Sequence, residues 1–430
     1  MKKNLVVQII VAFIVGLLVG IGLWLSKVDI STYIAVVSPF GNVLVAMLKM
    51  IVVPVIFLSL ILGAASLPTK EFGRIGIKVI GWYFLTSLLA AVVGSVLALA
   101  FNPGGSASKA AWEGLANSGQ LAEVSQDSAG SLVDVFMSMF QNPFSALANG
   151  EFLAIIVFSI AFGLALKIIA DTKGGKTEEH VTKLLDLMDV SKEAVFKMVD
   201  WILAYSPIGV FALTSTNFAQ YGSALFGPYV TLTIGVILGV LGMMFVVYPL
   251  LMALVLKENP YHFMSTIKEA MLTAFVTRSS AATLPVSLRI SDEELHINES
   301  LSSFALPLGS TINMDGVCVH LPMFAVLASN MFGLELNFST LAVLVVTTVL
   351  ASVGAGGVPG GSLMLLFIIL QNMGLDGGQV AIIVGLALGI NPILDMFETM
   401  NNVTGDLVCT YTVAKHSKMI DTVEETPSVD

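Results

Sequence analysis

The sequence predicts an all-α integral membrane protein, and three observations support this fold class. Of the 430 residues, 56% are hydrophobic and 12% are charged, whereas a soluble domain has about a quarter charged residues. The mean hydropathy is +0.89. Apolar runs long enough for a membrane-spanning helix, which needs about 20 residues, recur along the chain. With 20 lysines and arginines in total, no nucleic-acid partner is expected.

The first 256 residues contain six apolar runs that predict spanning helices. The first run follows Met1-Lys2-Lys3 and is longer than the apolar core of a signal peptide, so it is interpreted as a spanning helix. The stretch 102–130 is rich in Gly, Ser, Ala and Asn, which predicts an exposed loop. The runs cover residues 4–26, 34–66, 76–101, 131–170, 186–216 and 224–256.

Basic residues lie at alternate ends of these runs, which predicts the orientation of the chain in the membrane. The opposite ends carry few, chiefly Lys27 and Lys109. By the positive-inside rule, both termini are expected in the cytoplasm and the 102–130 loop outside. The residues on the expected cytoplasmic side are Lys2, Lys3, Lys70, Arg74, Lys78, Lys167, Lys173, Lys176, Lys257, Lys415 and Lys418.

Beyond residue 256 the apolar segments are interrupted. Segment 263–290 contains the polar stretch 277–285, and segment 339–372 contains the glycine-rich stretch 354–361. Irregular backbone at membrane depth is tolerated where it lines a cavity, so both segments predict re-entrant helical hairpins. Ordinary helices kinked at their prolines are the alternative.

A third interruption lies inside the predicted helix 296–330. Its stretch 307–316 contains a proline, two glycines, Asn313 and Asp315. Unwinding would free backbone carbonyls, and these two side chains add oxygen atoms that could bind a cation such as Na⁺. The alternative is that Asn313 and Asp315 only cap helices.

An acidic stripe lies in the apolar run 384–413. Asp395, Thr399, Asn402 and Asp406 follow a spacing of four, three and four, which puts them on one helical face, with Glu398 at its border. Carboxylates in such a segment are costly in lipid and usually face a path for ions or polar solutes. The stripe therefore indicates a protein that moves cations or polar molecules.

Four motifs resemble one known family, the dicarboxylate/amino acid:cation symporters, which includes the glutamate transporters. They are TRSSAATLP at 277–285, NMDG at 313–316, GVPGG at 357–361 and NVTGD at 402–406. Their order matches the family from residue 1 to about 418. The resemblance implies a glutamate-transporter-like elevator fold with eight transmembrane helices and two re-entrant hairpins, assembled as a homotrimer in membrane lipid.

The resemblance also implies a division of the chain into two domains. Residues 1–73 and 102–222 would form the scaffold, and residues 74–101 and 223–418 the moving transport domain. Residues 419–430 would form a cytoplasmic tail.

Co-transported Na⁺ at two to three sites is the cofactor that the resemblance implies. The first site would use Gly309, Asn313, Asn402 and Asp406. The second would use main-chain carbonyls of Thr311, Ser352, Val353 and Ala355. The third would use Tyr83, Thr86 and Ser87 with Asn313 and Asp315.

The resemblance implies an amino-acid site as well. Asp395 would bind the ammonium group, Asn402 and the amides around Ser280 would bind the α-carboxylate, and the glycine-rich stretch would form an extracellular lid. The implied substrate-binding residues are Arg278, Ser279, Ser280, Thr311, Met314, Val317, Gly354, Ala355, Gly356, Gly357, Val358, Pro359, Gly360, Asp395, Glu398, Thr399 and Asn402.

Two departures from the family oppose an acidic substrate. Glu398 replaces the arginine of the acidic-amino-acid carriers, and Val317 replaces a threonine. The site is closer to the bacterial sodium/serine-threonine symporter branch, which implies the cell inner membrane. Glu398 could pair with Arg278, bind a substrate hydroxyl or meet a cationic side chain. The position that carries a proton in acidic-amino-acid exchangers is Leu321, preceded by His320, for which packing is the expected role.

The sequence thus favours a sodium-driven importer of small neutral amino acids, serine and threonine first. The alternatives are a symporter of acidic amino acids or C4-dicarboxylates and a ligand-gated anion channel. An enzyme is not expected, because the sequence shows no catalytic triad, paired cysteines or metal-ligand motif.

Overall fold

The computed structural model describes residues 3–66, 73–105, 136–355, 357 and 359–421, and this part of the chain is almost entirely helical. The described residues also contain one isolated antiparallel β-bridge, between Ile297 and Ile420. The helices are α1 Lys3–Ser26, α2 Ser31–Ala65, α3 Gly73–Phe101, α4 Pro143–Asn149, α5 Phe152–Lys173, α6 Gly175–Tyr221, α7 Phe226–Gly242, α8 Tyr248–Leu256, α9 Pro260–Thr266, α10 Lys268–Thr277, α11 Ser280–Glu293, α12 Glu299–Ile312, α13 Asp315–Phe332, α14 Phe338–Ser352, α15 Gly361–Asn372 and α16 Gly377–Ser417.

Eight helical segments of the described chain are long and apolar enough to cross a membrane. Their number equals the eight spanning helices that the family resemblance implies. The protein is a multi-pass membrane protein. The segments are Val7–Ser26, Ser31–Ala65, Arg74–Phe101, Phe152–Lys173, Gly175–Tyr221, Phe226–Leu256, Glu299–Phe332 and Gly377–Ser417.

The helices pack in two groups. In the first group, α6 packs along α1 and α2, and α5 packs on α2. In the second group, α16 contacts α10, α11, α12, α13 and α15, while α3 packs against α13 and α7. Contacts between the groups are fewer and involve mainly α16 with α6, α1 and α2.

The two most buried spanning segments belong to the second group. In the most apolar stretches of Glu299–Phe332 and Gly377–Ser417, 89% and 72% of the residues are buried, against 17% for Val7–Ser26. Helix α1 therefore lies at the periphery of the single chain and exposes large apolar side chains there, as expected of a surface in contact with lipid or another subunit. These include Val7, Val11, Ile14, Leu18 and Leu25.

The helices are interrupted at all three predicted places, after Thr277, after Ile312 and after Ser352. At the first interruption, Arg278 ends α10 with a left-handed backbone (φ +54°), and the Ser279 hydroxyl caps α11 by accepting from Ala282 N at 3.1 Å. Pro285 lies inside α11, so this proline is not the cause of the break.

Two boundaries differ from the sequence prediction. Helix α6 starts at Gly175 rather than near residue 186, because a polar first half continues the helix, as in the exposed pair Lys183–Glu179 at 2.6 Å. Within the run 131–170, the described residues contain a short separate helix, α4, which Asn142 caps and which Gly150 ends with a φ of +73°.

Candidate functional site

The predicted polar stripe of α16 lies inside the protein and faces the three interruptions. Its five side chains are only 1% to 5% exposed. Four of them line one cavity, and the fifth, Asp406, contacts Asn313 in the break between α12 and α13. The four on the cavity are Asp395, Glu398, Thr399 and Asn402. One face of α16 thus lines the cavity and also contacts the break between α12 and α13.

The first and third interruptions meet beside this face. The Gly357 carbonyl accepts from Ala281 N at 3.3 Å and from the Ser279 hydroxyl at 3.0 Å. Gly357 has a φ of +64°, and a Cβ there would collide with the Ser310 carbonyl. Position 357 therefore requires glycine for both its backbone conformation and its close approach to α12.

Asp395 is held from two sides at the cavity. Gly360 N donates to Asp395 Oδ2 at 3.2 Å, and Arg278 Nε lies 3.7 Å from the same oxygen. Arg278 also donates to the Pro392 carbonyl at 3.5 Å. The buried guanidinium therefore pairs with Asp395, whereas one of the sequence hypotheses paired it with Glu398.

Glu398 instead contacts His320, whose Nδ1 meets Glu398 Oε1 in a short hydrogen bond. His320 reaches Glu398 because α13 approaches α16 closely one turn earlier, at Gly316. A Cβ at Gly316 would come within 2.5 Å of the Glu398 carbonyl oxygen, so the two helix backbones touch there. Residues four apart share a helical face, which brings His320 to the Glu398 side chain.

The cavity itself is small in this structure. Its volume is about 10 Å³, room for roughly one water molecule. An amino acid can therefore enter only after the walls separate. The lining residues are Ser280, Met314, Val317, Ala355, Gly357, Gly361, Ser362, Asp395, Glu398, Thr399 and Asn402, of which Gly361 and Ser362 were not predicted.

The break between α12 and α13 contacts α16 at Asp406. Asn313 Nδ2 donates to Asp406 Oδ1 at 3.0 Å, and Gly309 lies directly against the same carboxylate. Asn402 points to the cavity side, where it accepts from Gly316 N at 2.8 Å and its amide faces Met314 Sδ at 3.2 Å. Three members of the first predicted cation set thus meet closely, and Asn402 lies beside them.

The third predicted set assembles around Asp315. Ser87 donates to Asp315 Oδ1 at 2.7 Å, and Thr86 donates to Asn313 Oδ1 at 3.2 Å. The Tyr83 hydroxyl donates to the Ala305 carbonyl at 2.8 Å instead of to these side chains. Helix α3, remote in sequence, therefore brings the Thr86 and Ser87 hydroxyls to the α12–α13 break.

Tyr248 completes this cluster and was missed by the sequence analysis. Its hydroxyl donates to Asp315 Oδ2 at 2.7 Å. It follows a π-helical turn, Met243–Val247, and such turns occur often at functional sites. The only signal in the sequence was a phenol inside the apolar run 224–256.

The residues of the second predicted cation site have the fewest contacts with one another. The Ser352 carbonyl accepts from Ala355 N at 3.1 Å, and the Thr311 hydroxyl donates to the Leu308 carbonyl at 2.8 Å. Among the described residues, no hydrogen bond joins Thr311 to the 352–355 turn. Gly356 and Val358 lie outside the described residues.

Asp315 and Asp406 are both buried carboxylates. Within the described part of the chain, no lysine, arginine or histidine nitrogen lies within 4.0 Å of either carboxylate. A buried carboxylate without a basic partner is costly, and a bound cation lowers this cost. The surrounding carboxylate, amide and hydroxyl oxygens are the ligands that hard cations prefer.

Buried carboxylates at helix interruptions in a multi-pass helical protein are typical of secondary transporters. Residues 5–416 match the sodium:dicarboxylate symporter family. The chain belongs to this family, whose members are transporters.

Three curated relatives illustrate the range of the family. The serine/threonine transporter SstT of Bifidobacterium adolescentis is 31% identical over 411 residues, which cover 95% of this chain and 90% of that protein. The proton/glutamate-aspartate symporter of Escherichia coli is 29% identical and covers 98% and 94%. Excitatory amino acid transporter 3 of Mus musculus is 28% identical and covers 88% and 79%.

Proposed function

We propose that the protein is a sodium-coupled symporter that imports small neutral amino acids, serine and threonine first. One observation carries the proposal. The buried face of α16 joins an oxygen-rich cluster around Asp315 and Asp406, which contains no basic partner among the described residues, to a cavity lined by Asp395 and Glu398. A cation bound in the cluster and a zwitterion bound in the cavity would share one wall.

Sodium ions are proposed to bind in the cluster and at the neighbouring turn. Asp406, Asn313 and the Gly309 carbonyl would form the first site together with Asn402, and Asp315, Thr86 and Ser87 would form another with Tyr83. The contacts among these groups support this assignment. The carbonyls of Thr311 and of the 352–355 turn would complete a further site when the loop after Ser352 closes over substrate.

The substrate's zwitterion is proposed to lie across the cavity. Asp395 would bind the ammonium group and exchange part of its contact with Arg278 for it, because a charge-assisted hydrogen bond is among the stronger single contacts. Asn402 and the N-terminus of α11 at Ser280 would bind the α-carboxylate, since helix N-termini favour anions. These three groups line the same cavity.

Glu398 and Val317 are proposed to set the side-chain preference. A carboxylate beside the cavity repels an acidic side chain and can accept a hydrogen bond from a hydroxyl. Val317 adds no polar group to the same wall. The serine/threonine transporter named among the relatives is consistent with this choice.

Alternating access is proposed to follow an elevator mechanism. The group of α1, α2, α5 and α6 would be the scaffold, and the group around α16 would slide across the membrane with the site; the fewer contacts between the two groups support this division. The exposed apolar surface of the scaffold helices would form the contacts of a homotrimer. Both termini would face the cytoplasm, and residues 354–360 would act as the extracellular lid.

A second candidate is a symporter of acidic amino acids or dicarboxylates. The observation in its favour is Arg278, a buried guanidinium next to Asp395 that could bind a second carboxylate. Two relatives named as carriers of glutamate, one of them also of aspartate, are each 29% identical to this chain, against 31% for the serine/threonine transporter.

Uptake of radiolabelled serine into proteoliposomes under an imposed sodium gradient tests both candidates. We expect concentrative uptake in sodium that is abolished in choline buffer and is inhibited by unlabelled threonine and alanine. Inhibition by aspartate at lower concentration than by serine would favour the second candidate. An anion current without concentrative uptake would instead indicate a channel.

A further inference from the structure

The two carboxylate oxygens of Glu398 have different surroundings. Oε1 contacts His320 Nδ1, whereas Oε2 is buried and has no hydrogen-bond partner among the described residues. Glu398 lines the candidate substrate cavity, and His320 does not. A buried carboxylate oxygen without a hydrogen-bond donor is costly. A ligand in the cavity that donates a hydrogen bond to Oε2 would remove this cost.

His320 is held firmly in the orientation that makes this contact. The residue is fully buried, and its ring stacks on Phe324 with centroids 4.6 Å apart and an angle of 23° between the planes. The close approach of Gly316 to the Glu398 backbone fixes α13 against α16 one turn away. Nδ1 therefore faces Glu398 without a large choice of rotamers.

We infer that His320 is a positioning residue for substrate specificity. By donating to Oε1, it turns Oε2 of Glu398 toward the cavity, where Oε2 accepts the side-chain hydroxyl of serine or threonine. This inference rests on the proposed function, and it assigns the preference for hydroxyl-bearing substrates to a residue that does not touch the substrate.

The other charged side chains near Glu398 do not orient its carboxylate. Arg278, from the break between α10 and α11, pairs with Asp395 and donates to the Pro392 carbonyl. Asp395, one turn earlier on α16, carries the same charge as Glu398 and cannot donate to it when ionised. An ionised carboxylate can only accept hydrogen bonds, so Nδ1–H of His320 is the donor in this contact, and among the described residues it is the hydrogen-bond donor that orients Glu398.

Two amide substitutions separate positioning from packing. The side-chain nitrogen of His320→Asn lies where Nδ1 is, and that of His320→Gln lies near Nε2, so only the first retains the donor to Glu398. The measurement is kcat/KM for serine divided by kcat/KM for alanine, in sodium-driven proteoliposome uptake. We expect His320→Gln to lower this ratio about tenfold, the effect of losing one hydrogen bond to a charged group, and His320→Asn to retain most of it.

A double-variant cycle completes the test. In a Glu398→Gln background, His320→Gln should change the ratio no further, because it acts through the carboxylate. A sodium-dependent thermal shift of each purified variant verifies folding independently of substrate. Equal ratios for the two amide variants, or an additive effect in the double variant, would overturn the inference while serine uptake by the unmodified protein keeps the proposed function. Absence of that uptake would reject the proposed function and the inference with it.

Discussion

Gly309 lies directly against the carboxylate of Asp406, and a Cβ at position 309 would come within 2.5 Å of Asp406 Oδ1. The same Cβ would come equally close to the Tyr83 hydroxyl. The backbone of α12 therefore forms one wall of the oxygen cluster, and α3 and α16 can approach it only because residue 309 has no side chain.

Gly309→Ala should damage the cluster through this contact. The added methyl must displace the Asp406 carboxylate or the Tyr83 ring, and we expect the sodium concentration for half-maximal uptake to rise at least tenfold. Serine uptake measured over a sodium series gives this value. Gly81→Ala is the matched control, because it lies two residues from Tyr83 on α3 and a Cβ there meets nothing within 4 Å. An unchanged sodium dependence of Gly309→Ala would show that the cluster does not bind the coupling ion.

Asp406→Asn should leave the protein folded and abolish concentrative uptake. The amide retains the shape of the carboxylate and can still contact Asn313, but it removes the charge that would bind the proposed cation. Sodium-dependent thermal shift and uptake from the same preparation measure both effects. Asp200→Asn, an exposed acid on α6, serves as the control. Normal uptake by Asp406→Asn would be incompatible with the proposed sodium site.

Asp395→Ala should abolish amino-acid binding and retain a sodium-induced thermal shift. The substitution removes the proposed partner of the substrate's ammonium group, and it also leaves the buried Arg278 without the carboxylate it now contacts. Because the second effect lowers stability, binding should be titrated with serine at a temperature well below unfolding. Near-normal serine affinity in this variant would contradict the assignment of Asp395.

The sequence predicted contacts within one helix better than contacts between helices. The one-face placement of Asp395, Asn402 and Asp406 follows from helical periodicity. Their burial inside the protein follows from the cost of placing carboxylates in lipid. The interruptions could be predicted from local composition, because glycine and proline weaken a helix and irregular backbone at membrane depth is tolerated where it is buried in protein or lines a cavity.

Pairings between helices were harder to predict because they depend on how closely two backbones approach. The contact of His320 with Glu398, 78 residues apart, follows from the glycine at 316, which no local pattern reveals. Tyr248 reaches Asp315 from a helix whose apolar run gave no polar periodicity, next to a π-helical turn that lacks a sequence signature.

Glu398→Arg should reverse the charge preference of the cavity. An arginine here would remove the acceptor that His320 now contacts and would add a positive charge to the cavity wall that Asp395 shares, so serine binding should weaken at least tenfold and the ratio of aspartate to serine affinity should rise. Competition of both amino acids against radiolabelled serine, in sodium and at equal ionic strength, gives the ratio. Glu398→Gln separates charge from shape, because it removes the repulsion without adding a cation, and it should raise the ratio less than Glu398→Arg. Tight sodium-dependent aspartate binding by the unmodified protein would refute the proposed specificity, because a carboxylate at position 398 could not then be repelling the substrate's side chain.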